Sequence, residues 1–509
     1  MRVHLVNPND VAFGVGVIVP RWLYVLAGAT PRRYGDPVIV DETLQMFDPL
    51  TVAPGDIVGI GIHTANALRG YEVGRLARER GAKVVFGGIH ATLFPGEPVE
   101  MGAADSVVRG DGDLIWAAVL DDFASATPRP LYDGGRVQGT EFSRARWDLL
   151  PARGYMWGSV QTIRGCPKHC SFCSVWRTDG QKLRLYPVDN VVSEVVELRR
   201  KGFRFIALAD DNFYPVTLSD LEAAARRKDP SRLDHLTALR QQRFELMERL
   251  SELPSELIFF TQITMEAAED PAFLDAMRRA HIKGALVGVE SVTQAGLQHI
   301  YKEFNPTGEG LIERLQAFRK ADIHVLGSFI FGLPSDTAET FEMTADLANR
   351  AGLTFAQFVP LTKFPGTLDF DAWKASVGDA VEKVDGVPLT RYWLVKGHRR
   401  PKVYAEHPTM SVEEIRLNTQ RVWDSFYSLR QVWERSRCVK ALRNRLAFVL
   451  ISRLYRQMYA RTGIATDSAR QGRAAASARI LGRAARRLFL TRPMPDLQVP
   501  GSTAVARSS

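Results

Sequence analysis

The chain has 509 residues, of which 45% are hydrophobic and 24% charged. That composition excludes a fibrous or disordered protein and gives enough length for two or more packed domains. Four cysteines are too few for a disulfide-stapled secreted scaffold. The net charge of +9 is uneven: residues 401–509 hold 20 Lys and Arg against 7 Asp and Glu, leaving 46 against 50, or −4, for residues 1–400.

The basic end is therefore a separate feature of the chain, read first as a solvated face. Residues 11–30 are apolar, but Asp10 precedes them and Pro20-Arg21 interrupts them. A signal peptide needs a basic start and an unbroken apolar run, and a membrane span needs about 20 apolar residues. A cytoplasmic protein with reduced thiols is expected.

In chain order, residues 2–6, 37–40, 56–62, 83–86 and 106–108 read as strands, with an amphipathic helix over 70–80. Strands alternating with helices predict a doubly wound, Rossmann-like α/β domain over residues 1–126. Gly87-Gly88 and Gly110-Asp111-Gly112 end two of these strands, where such folds bind ligands. Residues 127–145, rich in Pro, Gly and polar side chains, read as a linker.

A second alternating run covers residues 146–375. Strands are predicted at 159–163, 204–208, 257–261, 285–289, 324–330 and 355–361, with helices at 188–201, 271–280, 310–320 and 337–351. Six such units predict a partial (β/α)6 barrel. The charged interval 218–253 predicts a helical insertion. Residues 376–509 read as helical and basic, with helices over 441–459 and 474–490 and disorder over 500–509.

Three of the four cysteines lie in Arg164-Gly165-Cys166-Pro167-Lys168-His169-Cys170-Ser171-Phe172-Cys173, a C-x3-C-x2-C spacing directly after the first strand of the second domain. Three thiolates this close can hold one inorganic cluster or metal ion. A closed zinc site needs four protein ligands; His169 could be the fourth. Three thiolates on a four-iron cluster leave one iron open for chemistry. Cys438 stands alone in the basic region.

This stretch resembles the radical S-adenosylmethionine (SAM) superfamily in its spacing, its position after the first barrel strand, and Phe172 before the last cysteine. The resemblance implies a [4Fe-4S] cluster on Cys166, Cys170 and Cys173, with SAM chelating the open iron. Reductive cleavage of SAM would then yield a 5′-deoxyadenosyl radical that abstracts a substrate hydrogen. It also implies that Asp210-Asp211-Asn212 meets the SAM amino group and that Gly288 and Ser291 line the cofactor site. Glu290 is the catalytic candidate there, facing SAM or substrate, and Gly327 to Gly332 contacts adenine. The alternative for these segments is helix capping and barrel packing.

A doubly wound domain before such a barrel resembles the cobalamin-binding subgroup of that superfamily. This implies that Gly87, Gly88 and the Thr64 loop receive the cobalamin tail and that Arg69 covers the lower corrin face. The D-x-H-x-x-G motif is absent, so a base-off cobalamin without a protein His ligand is expected. The function implied is C-methylation of an unactivated carbon in a small molecule, supplied with electrons by a flavodoxin or ferredoxin. A porphyrin-cyclase-like reaction without methyl transfer is the alternative. A methylthiotransferase would need a second cysteine-bound cluster. A DNA-binding sensor lacks a recognised reading motif, and no nucleic-acid partner is expected. The Arg-rich helix over 441–459 is read as covering the barrel mouth, or else as a peripheral membrane contact for a lipid-like substrate.

Overall fold

The computed structural model describes residues 1–401, 406–462 and 490–500. Eight strands open the chain: β1 (Val3–Asn7), β2 (Gly16–Ile18), β3 (Val38–Asp41), β4 (Ile57–Gly61), β5 (Lys83–Gly87), β6 (Ser106–Gly110), β7 (Leu131–Gly135) and β8 (Tyr155–Val160). Six of them form a parallel sheet in the order β3-β1-β4-β5-β6-β7. The strands are apolar on both faces because helices cover both, among them Arg21–Ala29 and Ala67–Glu79.

The reading of residues 127–145 as a linker needs correction, since residues 131–135 are β7 of this sheet. Tyr132 is buried in the core. The glycines there serve close packing, not flexibility: a Cβ on Gly110 would stand 2.4 Å from the Gly135 oxygen, and one on Gly134 would overlap Asp111.

After β8 comes a small antiparallel ladder of β9 (Ile163–Arg164) and β10 (Arg184–Leu185). The second sheet continues with β11 (Phe205–Leu208), β12 (Ile258–Ile263), β13 (Ile282–Glu290), β14 (His324–Phe331) and β15 (Phe355–Pro360). Its order, β15-β14-β13-β12-β11-β8-β2, is parallel throughout and makes an open half-barrel with six β/α strands. β2 adds the seventh strand from the N-terminal domain, so the two domains share an edge. The expected insertion is two helices, Leu218–Arg226 and Pro230–Ser251, each capped by the side chain before it, Thr217 and Asp229.

The C-terminal region is less uniformly helical than its composition predicts. A hairpin of β16 (Lys383–Val384) and β17 (Val387–Pro388) precedes Leu389, Tyr392 and Trp393, which are buried in the core of the N-terminal domain. The helix Val412–Phe426 then covers the edge strand β15. Just beyond it, the Tyr427 hydroxyl accepts from the Ala356 N–H (3.1 Å) and donates to its carbonyl (2.8 Å), closing backbone that would otherwise invite pairing. The helix Leu442–Thr462 follows. Most of the expected 474–490 helix and the expected disorder over 501–509 lie outside the described residues. Pro500 is held by Arg249, which donates to its carbonyl at 2.5 Å. Among the described residues no helix is long and apolar enough to cross a membrane.

Glu97 latches the C-terminal return onto the N-terminal domain. Its carboxylate accepts from Tyr71 (2.7 Å), Trp393 (2.9 Å) and Arg391 (2.8 Å) and lies 3.1 Å from His90 Nε2. Burial alone would raise its pKa, but these hydrogen bonds bring it from the ordinary 4.5 down to about 2. A carboxyl lowered on folding adds stability above the unfolded value and loses it as pH falls through the folded one. Its contribution, about 3 kcal/mol by linkage, should therefore disappear between about pH 4.5 and pH 2. Thermal melts of the wild type and Glu97→Gln across that range check it: the variant's melting temperature should fall less steeply. Parallel curves would refute the latch.

Candidate active site

The three thiols are placed by the turn that follows β9. Gly165 takes φ +91°, and a Cβ there would stand 2.9 Å from the carbonyls of Gly180 and Lys182. Its N–H donates to Asp211 (2.7 Å), and the Cys166 N–H donates to the Gly180 carbonyl (3.1 Å). Trp176 Nε1 donates to the Cys170 carbonyl (3.0 Å), and the Ser171 N–H to Ile300 (3.1 Å). The loop is thus fixed largely through its backbone, and none of the three cysteines is in a disulfide. Burial pushes the Cys166 thiol up to about 11, the Cys173 thiol up to about 12 and the Cys170 thiol in the same direction.

Cys166, Cys170 and Cys173 sit on one loop between β9 and the helix Val175–Thr178. His169 stands beside the Tyr301 ring, with centroids 6.1 Å apart. Among the described residues no set of three or more His, Cys, Asp or Glu side chains forms a site for a single metal ion. Three thiols without a fourth ligand fit an iron–sulfur cluster with an open corner and do not fit a closed zinc site.

Glu290 ends β13 in the left-handed region at φ +67°, where the register against β14 shifts. This turns its carboxylate inward to accept from Lys302 Nζ at 3.0 Å, both groups being buried. Gly288 leaves room for the pair as placed: a Cβ there would lie 2.3 Å from Glu290 Oε1 and 2.6 Å from Lys302 Nζ, and both side-chain ends would have to shift. Burial would lower the Lys302 pKa, but Glu290, Cys170 and Cys173 raise it, so the lysine stays cationic beside the thiols. Its Nζ also lies 5.8 Å from the Phe172 ring centroid, and Phe172 packs on Ile300, Ile330, Leu333 and Leu361.

The Asp210–Asn212 run divides in role. Asp210 is fully buried and accepts from the Thr162 N–H (2.6 Å), the Thr162 hydroxyl (2.5 Å) and the Ile163 N–H (3.0 Å). Its carboxylate is thus occupied in holding the end of β8. Asp211 holds Gly165; burial, with help from Asp179, raises its pKa to about 7. Asn212 accepts from the Tyr214 and Thr264 N–H groups at 3.1 and 3.2 Å. Its buried Nδ2 has no partner among the described residues.

Three other predicted residues serve packing and turns. The Ser291 hydroxyl accepts from the Thr293 N–H (3.2 Å) and abuts Gly296, where a Cβ would lie 2.2 Å away. Gly327 is bare because a Cβ would stand 2.7 Å from Leu353. Gly332, at φ +87°, donates to Asp336 (2.9 Å) in a turn.

A cavity of about 490 Å³ opens between the carboxyl ends of the N-terminal sheet and the first barrel strand. Gly59, Gly61, Gly87 and Gly88 line it on one side, and Arg164, Thr178 and Asp179 on the other. The glycines let aromatic rings lie on the sheet: a Cβ on Gly61 would stand 2.6 Å from Trp22, and one on Gly59 3.0 Å from Trp116. Gly88, at φ +90°, approaches Ile62 so closely that a Cβ would come within 2.5 Å of its carbonyl.

Thr64 and Arg69 do not line this cavity. The Thr64 hydroxyl is bonded to His90 Nδ1 (3.2 Å). Arg69 donates to Glu42 (2.9 and 2.5 Å) and pairs with Glu72 (2.7 Å), because the buried Glu42 needs a cation. Of the histidines, His63 lines the cavity. Its Nδ1 accepts from the Ala65 N–H (3.2 Å), so the neutral ring carries its proton on Nε2 and presents a donor, not a lone pair.

Composition and spacing do not reveal Lys302, Thr162, Arg243 or His63. Lys302 and Thr162 meet Glu290 and Asp210, Arg243 donates to the Thr162 hydroxyl, and His63 reaches the cavity, and only the fold brings each of these about.

A trio of thiols on the loop after the first strand of an open parallel half-barrel defines a class, and the sequence comparison agrees: residues 160–348 match the model of the radical SAM superfamily. This part of the chain is a radical SAM domain. Relatives align over 70% or more of the chain. An uncharacterized methyltransferase of Pyrococcus horikoshii is 27% identical over 76% of this chain and 81% of its own. The bacteriochlorophyllide d C-8(2)-methyltransferase of Chlorobaculum tepidum is 25% identical over 70% and 76%. An anaerobic magnesium-protoporphyrin IX monomethyl ester cyclase of Rubrivivax gelatinosus is 25% identical over 76% and 71%. In fold, the chain resembles TsrM of Kitasatospora setae, a radical SAM methyltransferase solved with cobalamin and a [4Fe-4S] cluster bound. The TM-score is 0.62 at 17% identity, over 89% of this chain and 100% of that one. It also resembles the cobalamin-dependent radical enzyme OxsB with aqua-cobalamin bound, with a TM-score of 0.64 at 13% identity, over 97% and 77%.

Proposed function

We propose that this protein is a cobalamin-dependent radical SAM enzyme that methylates an unactivated carbon of a small molecule. One adjacency carries the reading. Arg164, Thr178 and Asp179 line the cavity between the domains and belong to the same excursion of chain that bears Cys166, Cys170 and Cys173. A ligand in the cavity and a cluster on the thiols would thus share one wall. Relatives with methyltransferase names align over 76% and 70% of the chain.

When bound, these groups supply reductive cleavage of a sulfonium carbon–sulfur bond and a carrier for the methyl group. The chain's own residues set the stage. The three thiols would hold three irons and leave the fourth to SAM. Asn212 Nδ2 offers a donor to the SAM carboxylate, and Lys302, kept cationic by Glu290, offsets the negative charge of the thiolates. The glycine-lined side would take the flat corrin, with the Trp22 and Trp116 rings at its edge. His63, which lines the cavity with its proton on Nε2, would offer a donor to an acceptor on the cofactor. A flavodoxin or ferredoxin would supply the electron.

The test is anaerobic reconstitution with iron, sulfide and hydroxocobalamin, desalting, and addition of SAM and a reductant. The corrinoid should be retained by its visible absorbance, and both 5′-deoxyadenosine and S-adenosylhomocysteine should form. A protein that keeps no corrinoid is not this enzyme. 5′-Deoxyadenosine without S-adenosylhomocysteine would favour the cyclase-type chemistry of the Rubrivivax relative.

A further inference from the structure

The helix Leu442–Thr462 carries five arginines and no acidic residue. One of its faces is spent on the barrel: Phe448 packs on Phe355 with centroids 5.5 Å apart, and Tyr455 does so at 5.6 Å. A helix that only covers the barrel needs no second apolar face. This one has it, since Leu442, Leu446 and Leu450, spaced by four residues along one stripe, are 62%, 57% and 50% exposed.

Charge accompanies the stripe. Arg443 and Arg453 are exposed on the same side, at helical spacing from Leu446 and Leu450. The preceding helix, Leu429–Arg435, adds Leu429 (63% exposed) and Trp433, which Arg445 covers at 4.1 Å from the ring centroid. Leucines at the centre, arginines at the flanks and a half-exposed tryptophan are the composition of a surface that lies in the headgroup region of a bilayer. The +13 balance of residues 401–509 favours an anionic lipid over a neutral one.

We propose that the Leu442–Leu446–Leu450 stripe with Arg443 and Arg453 docks this protein on an anionic membrane surface. The leucines would bury in the acyl boundary while the arginines pair with lipid phosphates. Docking rests on this surface and is independent of the cofactor assignment.

The full-length protein is sedimented with vesicles of phosphatidylcholine containing about one third phosphatidylglycerol, and with vesicles of phosphatidylcholine alone. It should co-sediment with the first and stay in solution with the second, and half-molar salt should weaken the binding. The double variants Leu446→Ser/Leu450→Ser and Arg443→Ser/Arg453→Ser should each bind roughly tenfold less, with unchanged melting temperatures. These side chains face outward, so the variants are expected to fold. Equal sedimentation with both vesicle types, or wild-type binding by the leucine variant, overturns the proposal. So does a dimer in sedimentation velocity without lipid that Leu446→Ser/Leu450→Ser disrupts, because it assigns the stripe to a second copy.

Discussion

Cys170→Ala is expected to reduce 5′-deoxyadenosine formation by the reconstituted protein to background, together with the broad visible absorbance of an iron–sulfur cluster. Cys166→Ala and Cys173→Ala should do the same. Each sulfur would hold one corner, and the surrounding loop offers no replacement, since His169 lies against Tyr301 and Cys438 is in another region of the chain. The fold should survive, because the loop is held by the backbone N–H groups of Cys166 and Ser171 and by the Trp176 indole on the Cys170 carbonyl. Removing one small buried sulfur should cost no more than roughly 1–2 kcal/mol. The apo protein's melting temperature should then move by only a few degrees. Cys438→Ala is the control and should keep both signals. Stoichiometric zinc on the wild-type thiols, or 5′-deoxyadenosine from any of the three variants, would remove the basis of the assignment.

What could be read from the sequence was local. The thiol trio is visible because ten consecutive residues hold it, and the barrel strands because each is a short apolar run between turns. Where the reading slipped, a distant residue decided. The first barrel strand ends at Val160, not residue 163, because Asp210 captures the backbone of Thr162 and Ile163 and turns the chain toward the thiols. Residues 131–135 look like a linker because glycine usually marks flexible chain; here two glycines let β7 approach β6. Arg69 resembles a free cation at a helix start, and only the fold brings Glu42 beneath it. Lys302 gives no local signal, since its pairing with Glu290 depends on two left-handed residues, Glu290 and Tyr301.

Arg243→Met should destabilise the protein more than any surface change, with the loss felt at the thiol loop. Arg243 is fully buried on the inserted helix Pro230–Ser251 and donates to the Thr162 hydroxyl at 2.6 Å. That hydroxyl in turn donates to the buried Asp210. Burial lowers the guanidinium pKa to about 10, with Asp210 opposing the shift, so the arginine remains charged near neutrality and balances the carboxylate. Methionine keeps much of the volume and removes the charge, leaving Asp210 without its cation. Breaking one side of such a pair costs about 3–5 kcal/mol, whereas replacing both sides with neutral groups costs far less. The double variant Arg243→Met/Asp210→Asn should therefore regain much of the stability lost by Arg243→Met alone. Since Asp210 also anchors Thr162 and Ile163, four and three residues ahead of Cys166, the single variant should bind less iron on reconstitution. Urea melts of the wild type, both single variants and the double variant close the cycle. Losses that simply add would show that the arginine packs there without electrostatic coupling to Asp210, and the insertion would then have no part in holding the thiol loop.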